Sequence, residues 1–414
     1  MADKHEVLKS LNFDPKTSEL LNKFWIGFII HSAGFTLSAT TVVNYATCQV
    51  LQILGIILFF TSAVKLIRWK FHNTYLKILF SLYCCWSFIT IIRVYSFEYE
   101  DIKNKLFDVD GIFRFFVPLI FLFPKDIIYY KKLFKAIVAV SIIFIIYDIV
   151  FYKNLMNLNY ENNDTKFTFE HFLKVLGLPS GFILLTFVYH QNKRKFLSVI
   201  TIGLGVVFSI FRARRALLFM SLSPMVISLM LYLYKSKQKF IIIFLSICLS
   251  VSLFLYGAEV FTSFRDGVFS LLNERLSEDT RTNVEECFYE DMNFQDWIIG
   301  KGIDGQYFCP NVDLNDTTGY RSMIETDYLN IILKGGILSL VLILLILIPA
   351  IVKGLFYSHN FLSKAAAIWI LLWVLALYPA TVYSFSLNHV LVWVSAGICY
   401  SQAIRGMPED SVKM

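Results

Sequence analysis

The sequence has few charged residues for its length of 414 residues, since Asp, Glu, Lys and Arg make up only 17%. A soluble domain carries about a quarter. Hydrophobic residues account for 57%, with 40 Phe and 22 Tyr, and the mean hydropathy is +0.60. A soluble protein with this much apolar surface would aggregate, and a disordered chain is far more polar. The composition therefore excludes both classes and indicates a helical protein that crosses a membrane several times.

The sequence also lacks common signatures of catalysis and transport. It has no Cys/His spacing typical of a metal site, no glycine-rich phosphate loop after a strand, and no serine-elbow motif. No repeat relates its two halves, although many transporters are built from repeated halves. Candidate functional residues must therefore be sought among the charges that border the apolar segments.

Long apolar segments recur along the chain, and a helix needs roughly 17–25 residues to cross a bilayer. We predict an all-α protein with twelve spans, at residues 24–43, 48–67, 74–94, 109–124, 133–152, 172–190, 196–211, 216–234, 240–260, 326–352, 364–384 and 387–404. Spans 1–9 thus occupy residues 24–260, and spans 10–12 occupy residues 326–404. Residues 1–23 and 405–414 are predicted tails, and residues 261–325 form a large external loop.

The distribution of Lys and Arg sets the expected orientation, because these residues concentrate in cytoplasmic loops. They cluster in segments that share the side of the N-terminus, as at Lys131, Lys132 and Lys135, and are rare in the other short loops. We therefore predict that both termini are cytoplasmic. The net charge of +7 follows from this bias, so it is no evidence for nucleic-acid binding.

One cluster of arginines opposes this charge bias. Arg212, Arg214 and Arg215 lie between the seventh and eighth spans, on the predicted outer side. On a continuous helix Arg212 and Arg215 would share a face, where two guanidinium groups suit phosphate oxygens. Contact with anionic lipid headgroups is the alternative. We favour a phosphate or diphosphate site.

Other ionisable residues collect at the predicted outer ends of the spans. They are Arg93, Asp108, Asp110, Arg114, His171, Lys174, Arg321, Glu325, Asp327, Lys334 and His389. A charge costs about 2.5–3.5 kcal/mol at the bilayer centre and usually faces a cavity or a partner. Glu325 stands where the tenth span begins. It is a candidate general base, or a carboxylate favoured there by the helix dipole, and the residues alone leave both open.

Cys287 and Cys309 are the only two of the seven Cys residues that fall in the large external loop. Because this loop faces an oxidising compartment, we predict that they form a disulfide. Two free thiols are the alternative.

Residues 196–350 contain three short motifs. They are Arg215-Ala216-Leu217-Leu218, Arg281 followed by Ile299-Gly300-Lys301-Gly302, and the segment from Glu325 to Leu338 that contains Gly335-Gly336. In their order and spacing they resemble the motifs of bacterial O-antigen polymerases and O-antigen ligases. The ligases have His and Asn where this chain has Glu325 and Thr326. That difference favours the polymerase branch.

The resemblance implies glycosyl transfer at the periplasmic face of a bacterial inner membrane. The donor would be an undecaprenyl-diphosphate-linked oligosaccharide and the acceptor a second lipid-linked repeat unit, with membrane lipid and a chain-length regulator protein as partners. Arg215 and Arg281 would stabilise the diphosphate, and Glu325 would take the acceptor proton. The further substrate-binding candidates are Arg212, Arg214, Arg321 and Lys174. No metal and no cofactor are expected.

Two other functions stay open. An O-antigen ligase shares the motifs apart from the His-Asn pair. A transporter or flippase for lipid-linked sugars shares the layout of twelve spans with cytoplasmic ends. Transporters place polar sites at mid-membrane in broken helices, whereas the charges here gather at one predicted face.

Overall fold

The computed structural model describes residues 14–40, 42–71, 73–93, 105–107, 111–156, 163–212, 214–235, 282–310, 319–381, 383 and 385–412. The helices of this part are α1 Pro15–Ser38, α2 Tyr45–Leu66, α3 Thr74–Ile92, α4 Phe113–Phe116 with the 3-10 helix Val117–Leu122, α5 Ile127–Val150, α6 Tyr152–Met156, α7 Asn163–Phe172, α8 Ser180–Leu185, α9 Asn192–Phe211, α10 Arg215–Lys235, α11 Thr282–Asp291, α12 Phe294–Ile299, α13 Asp327–Phe356, α14 Phe361–Ala376, α15 Leu387–Tyr400 and α16 Gln402–Arg405. Short 3-10 helices occupy Phe187–Tyr189 and Glu409–Val412. Strands β1 Tyr307–Phe308 and β2 Tyr320–Arg321 pair antiparallel.

Seven helices of the described chain are long and apolar enough to cross a membrane. They cover Tyr45–Leu66, Thr74–Ile92, Tyr129–Val150, Thr168–Leu185, Asn192–Phe211, Arg215–Tyr234 and Asp327–Phe356. These helices suggest a multi-pass membrane protein, and they fall on seven of the twelve predicted spans. The helical fold is therefore confirmed in this coarser form. The predicted ninth span, 240–260, lies outside the described residues.

The fourth predicted span, 109–124, is wrong in its length. The helical part of α4 and its 3-10 extension covers ten residues, Phe113–Leu122, and rises about 18 Å, short of a bilayer core of about 30 Å. Pro118 stands in the first turn of the 3-10 helix, and Pro124 follows its end. Proline cannot donate a backbone hydrogen bond, which explains why a regular long helix does not form here.

The ends of the chain are also more structured than the sequence predicts. Helix α1 begins at Pro15 because Asp14 caps it, accepting hydrogen bonds from the backbone N–H of Lys16 at 3.1 Å and the hydroxyl of Thr17 at 2.6 Å. Part of the predicted N-terminal tail is therefore helix, and Leu21 on it is buried.

The C-terminal segment folds back on the bundle in a similar way. The Glu409 carboxylate accepts a hydrogen bond from the backbone N–H of Phe361 at 2.8 Å, and Val412 is fully buried. The predicted C-terminal tail is therefore packed against the bundle as far as residue 412. Helices α14 and α15, of 16 and 14 residues, are also shorter than the spans predicted there.

Hydrogen bonds between connecting segments divide the bundle into two ends. At one end the donor–acceptor pairs are Thr168 to Ala39, Arg212 to Leu155, Arg93 to Ile299 and Thr381 to Glu325. At the other end they are Arg68 to Thr17, Lys132 to Ser18, Leu362 to Tyr189 and Asn360 to Ile404. This division matches the predicted alternation of the connections. We call the first the outer end, because the charge pattern predicts that it lies outside.

A small folded unit, which we call the outer cap, covers part of the outer end. It consists of residues 282–310 and 319–326, with α11, α12 and the β1–β2 ribbon. Cys287 on α11 and Cys309 after β1 are joined by a disulfide, the pair that the sequence predicts. Phe288 and Tyr307 are fully buried between these elements, with ring centroids 5.7 Å apart. The cap therefore has its own core and a covalent link.

Candidate functional site

The outer cap is attached to the bundle by hydrogen bonds to the backbone of α13, at a position where this helix is interrupted. Gly336 has φ 70° and ψ 177°, which interrupts the helix nine residues after its start. The break leaves backbone carbonyls without helical partners. The carbonyls of Leu333 and Lys334 instead accept hydrogen bonds from the backbone N–H of Lys301 at 2.7 Å and of Gly302 at 2.9 Å.

Glycine is required on both sides of this contact. A Cβ on Gly300, which has φ 68°, would lie 2.5 Å from the backbone nitrogens of Gly335 and Gly336. A Cβ on Gly336 would lie 2.0 Å from the carbonyl oxygen of Ile298. The two glycine motifs of the sequence therefore form one backbone-to-backbone contact, the glycine joint, made by residues 298–302 and 333–336.

Arg93 fastens the same joint to α3. Its guanidinium donates to the carbonyl of Ile299 at 2.9 Å and to that of Gly300 at 2.8 Å. The cap, α3 and α13 are thus connected at one point. This connection fixes the position of residues 325–327, which join the cap to α13.

A group of cations lies at the outer end between α7 and α9. Lys174 Nζ is 2.6 Å from one oxygen of Glu170, and Arg214 Nη2 is 3.7 Å from the other. The side chain of Lys174 is only 4% exposed, so its charge is held in a largely dry setting. We call Glu170, Lys174 and Arg214 the cation cluster.

The local helix geometry explains how Lys174 reaches this position. It lies in the π-helical turn Leu173–Gly177 between α7 and α8, a distortion that is frequent at functional sites. Lys174 Nζ also stands 4.5 Å from the centre of the Tyr383 ring, and the Tyr383 hydroxyl is 3.3 Å from His171 Nδ1. Tyr383 therefore borders the cation cluster directly.

The arginines at 212–215 are arranged differently from the prediction. Arg212 ends α9 with φ −91° and ψ 3°, and Arg215 begins α10, so the two do not share a face of one helix. Arg212 Nε donates to the Leu155 carbonyl at 2.9 Å, which ties it to α6. Arg214, which the predicted shared face does not include, is the one that meets Glu170. The turn between α9 and α10 explains this difference from the prediction.

Glu325 is linked to the surroundings of the cation cluster through two residues, Thr381 and Tyr383. Its backbone carbonyl accepts a hydrogen bond from the Thr381 hydroxyl at 3.1 Å. Thr381 and Tyr383 are two residues apart, so their Cα atoms are at most about 7 Å apart. Thr381 and Tyr383 thus connect the surroundings of Glu325 with those of Lys174.

Glu325 does not cap α13. Thr326 is the N-cap residue, and its hydroxyl donates to the Glu285 carboxylate of α11. Asp327 is the acid in the first turn. Glu325 is exposed and precedes the N-cap, so it lies before the first turn of α13.

Arg321 and Glu325 share a neighbour in the outer cap. Burial raises the pKa of Tyr307 to about 12, while the charge of Arg321 lowers it and that of Glu325 raises it. Both charges therefore lie near the Tyr307 hydroxyl, which donates to the Met323 carbonyl at 3.3 Å. The predicted substrate-binding residue Arg321 and Glu325 thus share Tyr307 as a neighbour.

A second group of polar side chains lies inside the bundle. The sequence analysis named these ionisable residues individually but did not predict that they form one site. Arg114 Nη2 is 3.1 Å from Asp327 Oδ2, and Asp327 is fully buried. Lys334 Nζ donates to the Gly305 carbonyl at 2.9 Å. The ring of His389 stacks on the indole of Trp373, and Arg114, Asp327, Lys334 and His389 line a small cavity of about 30 Å³.

In the sequence, this site is visible only as four ionisable residues at the ends of apolar segments. Their proximity was not predictable, because they come from α4, α13 and α15 and meet only through the packing of those helices.

The structure thus brings together Lys174 and Arg214, and places Glu325 and Arg321 at the adjoining cap. Arg281 lies outside the described residues, and the roles of Arg215 and Arg281 stay predictions. Within the described ranges, no three His, Cys, Asp or Glu side chains form a group that could hold a metal ion.

Comparison with known proteins gives no match: no protein-family model, no curated protein and no solved structure is similar to this chain. The resemblance to O-antigen polymerases therefore depends on the short sequence motifs alone.

Proposed function

We propose that this chain is an O-antigen (surface polysaccharide) polymerase, which joins undecaprenyl-diphosphate-linked repeat units by glycosyl transfer at the periplasmic face. The observation that carries the proposal is the cation cluster beside the segment that contacts Glu325. In the cation cluster, Lys174 and Arg214 both lie at the carboxylate of Glu170, and Arg212 and Arg215 are close to Arg214 along the chain. Ammonium and guanidinium groups gathered in this way suit the oxygens of a diphosphate.

The reaction moves a glycan from its lipid carrier to an acceptor sugar. The bond between the anomeric carbon of the donor and the diphosphate oxygen breaks, and a bond from that carbon to the acceptor hydroxyl oxygen forms. The hydroxyl proton passes to the Glu325 carboxylate, and undecaprenyl diphosphate leaves with the bonding electron pair. Lys174 and Arg214 would stabilise the negative charge that grows on the leaving group.

The substitution Arg214→Ala tests the role of the cation cluster. We expect chain extension to slow by about 10²–10³, the usual cost of losing one charge-stabilising donor, so single repeat units replace the ladder of glycan lengths. Arg214→Lys, which keeps the charge, should retain part of the activity. Electrophoresis of the surface polysaccharide measures the ladder.

Arg194→Ala, at the inner end of α9, is the matched control and should leave the ladder unchanged. A normal ladder in Arg214→Ala, at equal protein levels, would remove the cation cluster from the mechanism.

A transporter or flippase of lipid-linked sugars is the second candidate, and one observation favours it. The cavity that holds the Arg114–Asp327 pair also includes Gly335, next to the break in α13. Transporters often bind their substrates at broken helices. A flippase would move repeat units without joining them, so the formation of multi-unit products separates the two functions.

A further inference from the structure

Helix α12 of the outer cap has an apolar side that the protein leaves uncovered. Phe294 is 79% exposed, and Ile298 and Ile299 are 43% and 36% exposed. Gln295 and Asp296 are its polar residues, and Asp296 lies 3.9 Å from Lys301, which also pairs with Asp291. At 3.6 residues per turn, Phe294 and Ile298 share one face of the short helix, and Asp296 lies on the opposite face.

The glycine joint sets how deep α12 lies along the bundle. The end of α12 contacts Gly336, nine residues after the start of α13, which is about 13 Å along the helix axis. Irregular backbone at membrane depth needs protein partners for its polar groups. Here the N–H groups of Lys301 and Gly302 and the carbonyls of Ile299 and Gly300 all have them.

The apolar side of α12 continues onto two helices that could cross a membrane. Ile298 contacts α13 at Gly336, and the following residues Ile337, Leu338 and Val341 are exposed. The carbonyl of Ile299 accepts a hydrogen bond from Arg93, which follows α3, and Ile89 and Ile92 near the end of α3 are exposed. In a membrane, lipid hydrocarbon would cover the exposed residues of α3 and α13. Because the surface is continuous, the same hydrocarbon would cover the apolar residues of α12.

Aromatic side chains mark the upper limit of this surface. The rings of Tyr289 and Trp297 stack with an interplanar angle of 8° and centroids 5.9 Å apart. Tyr and Trp concentrate where a bilayer meets water. The pair lies between the charged side of the cap and the exposed side of α12.

We propose that α12 is seated in the outer leaflet of the membrane, with lipid acyl chains covering Phe294, Ile298 and Ile299. The outer cap is then anchored twice, through the glycine joint to the protein and through α12 to the lipid. This seating is independent of the reaction assigned to Glu325.

Spin labels on the full chain in phosphatidylethanolamine–phosphatidylglycerol vesicles test the proposal. Labels are attached at Phe294→Cys and Ile298→Cys, with Glu290→Cys on the exposed side of α11 as the control. The five other cysteines of the sequence, Cys48, Cys84, Cys85, Cys248 and Cys399, are replaced by alanine. Collision with oxygen, which concentrates in lipid, should exceed collision with a water-soluble nickel chelate at 294 and 298, and the ratio should reverse at 290.

Other outcomes contradict the seating. Access of the nickel chelate at 294 and 298 equal to that at 290 would place α12 in water. Exclusion of both reagents would indicate a protein contact, such as a second copy of this chain. If the chain without these five cysteines does not fold, quenching of Trp emission by brominated lipids in the unaltered chain serves instead. The quenching should decrease in Trp297→Phe. An unchanged quenching would contradict the proposal.

Discussion

The substitution Glu325→Gln is expected to reduce chain extension by about 10²–10⁴, the range for loss of a general base. Glutamine keeps the size and hydrogen-bonding capacity of the side chain but cannot accept the acceptor proton. Because Glu325 is exposed and does not cap α13, the substitution should leave folding and membrane insertion intact. Glycan length in cells and the rate of extension by purified protein both measure the effect.

Glu290→Gln is the matched control for this change, since Glu290 is an exposed acid on α11 of the same cap. Glu325→Asp, which keeps the carboxylate on a shorter side chain, should recover part of the rate. Full activity of Glu325→Gln would show that another group removes the proton.

The substitution Gly336→Ala is expected to destabilise the protein by about 2–6 kcal/mol. Positive φ in a residue with a side chain and overpacking each cost about 1–3 kcal/mol, and here the new Cβ would lie 2.0 Å from the Ile298 carbonyl oxygen. The joint cannot close around this atom, so the cap should separate from α13. Thermal unfolding measures the loss, and hydrogen exchange of residues 294–303 locates it.

Gly203→Ala provides the control on another helix. A Cβ on Gly203 meets no atom within 4 Å, so alanine should keep or slightly raise stability. A Gly336→Ala protein as stable as Gly203→Ala, with unchanged exchange at 294–303, would show that the joint is not needed to hold the cap.

The sequence predicts the long helices well because a run of apolar residues is a local signal. Helix α13 is an example, since its 30 residues cover the predicted tenth span. The short helix α4 is harder to predict, because its own apolar residues do not show how it packs against neighbouring helices. The folded ends are harder still, since the burial of Val412 depends on the distant residues Asn360 and Phe361.

The candidate site shows the same limit. The glycine motifs at 300–302 and 335–336 were visible in the sequence, but their contact with each other is a feature of tertiary structure alone. The arginine turn illustrates the opposite error. Spacing on an assumed continuous helix paired Arg212 with Arg215, whereas the chain turns between them and directs Arg214 toward Glu170.

The buried Arg114–Asp327 pair adds a structural reason for the position of Glu325. An ion pair removed from water is costly unless both partners stay in place, and loss of one partner costs about 3–5 kcal/mol. The pair therefore holds the start of α13 against α4. Glu325, two residues earlier, is carried on an anchored segment at the boundary of the bundle.

The most direct measurement uses the purified chain in detergent with undecaprenyl-diphosphate-linked repeat units from cells that lack it. Polymerase activity predicts products of two or more units, with one undecaprenyl diphosphate released for each new bond, in the presence of EDTA. The Arg214→Ala and Glu325→Gln proteins should form little of either. Absence of multi-unit products from the unaltered protein, or their formation only after a divalent ion replaces EDTA, would contradict a metal-independent transfer at this site.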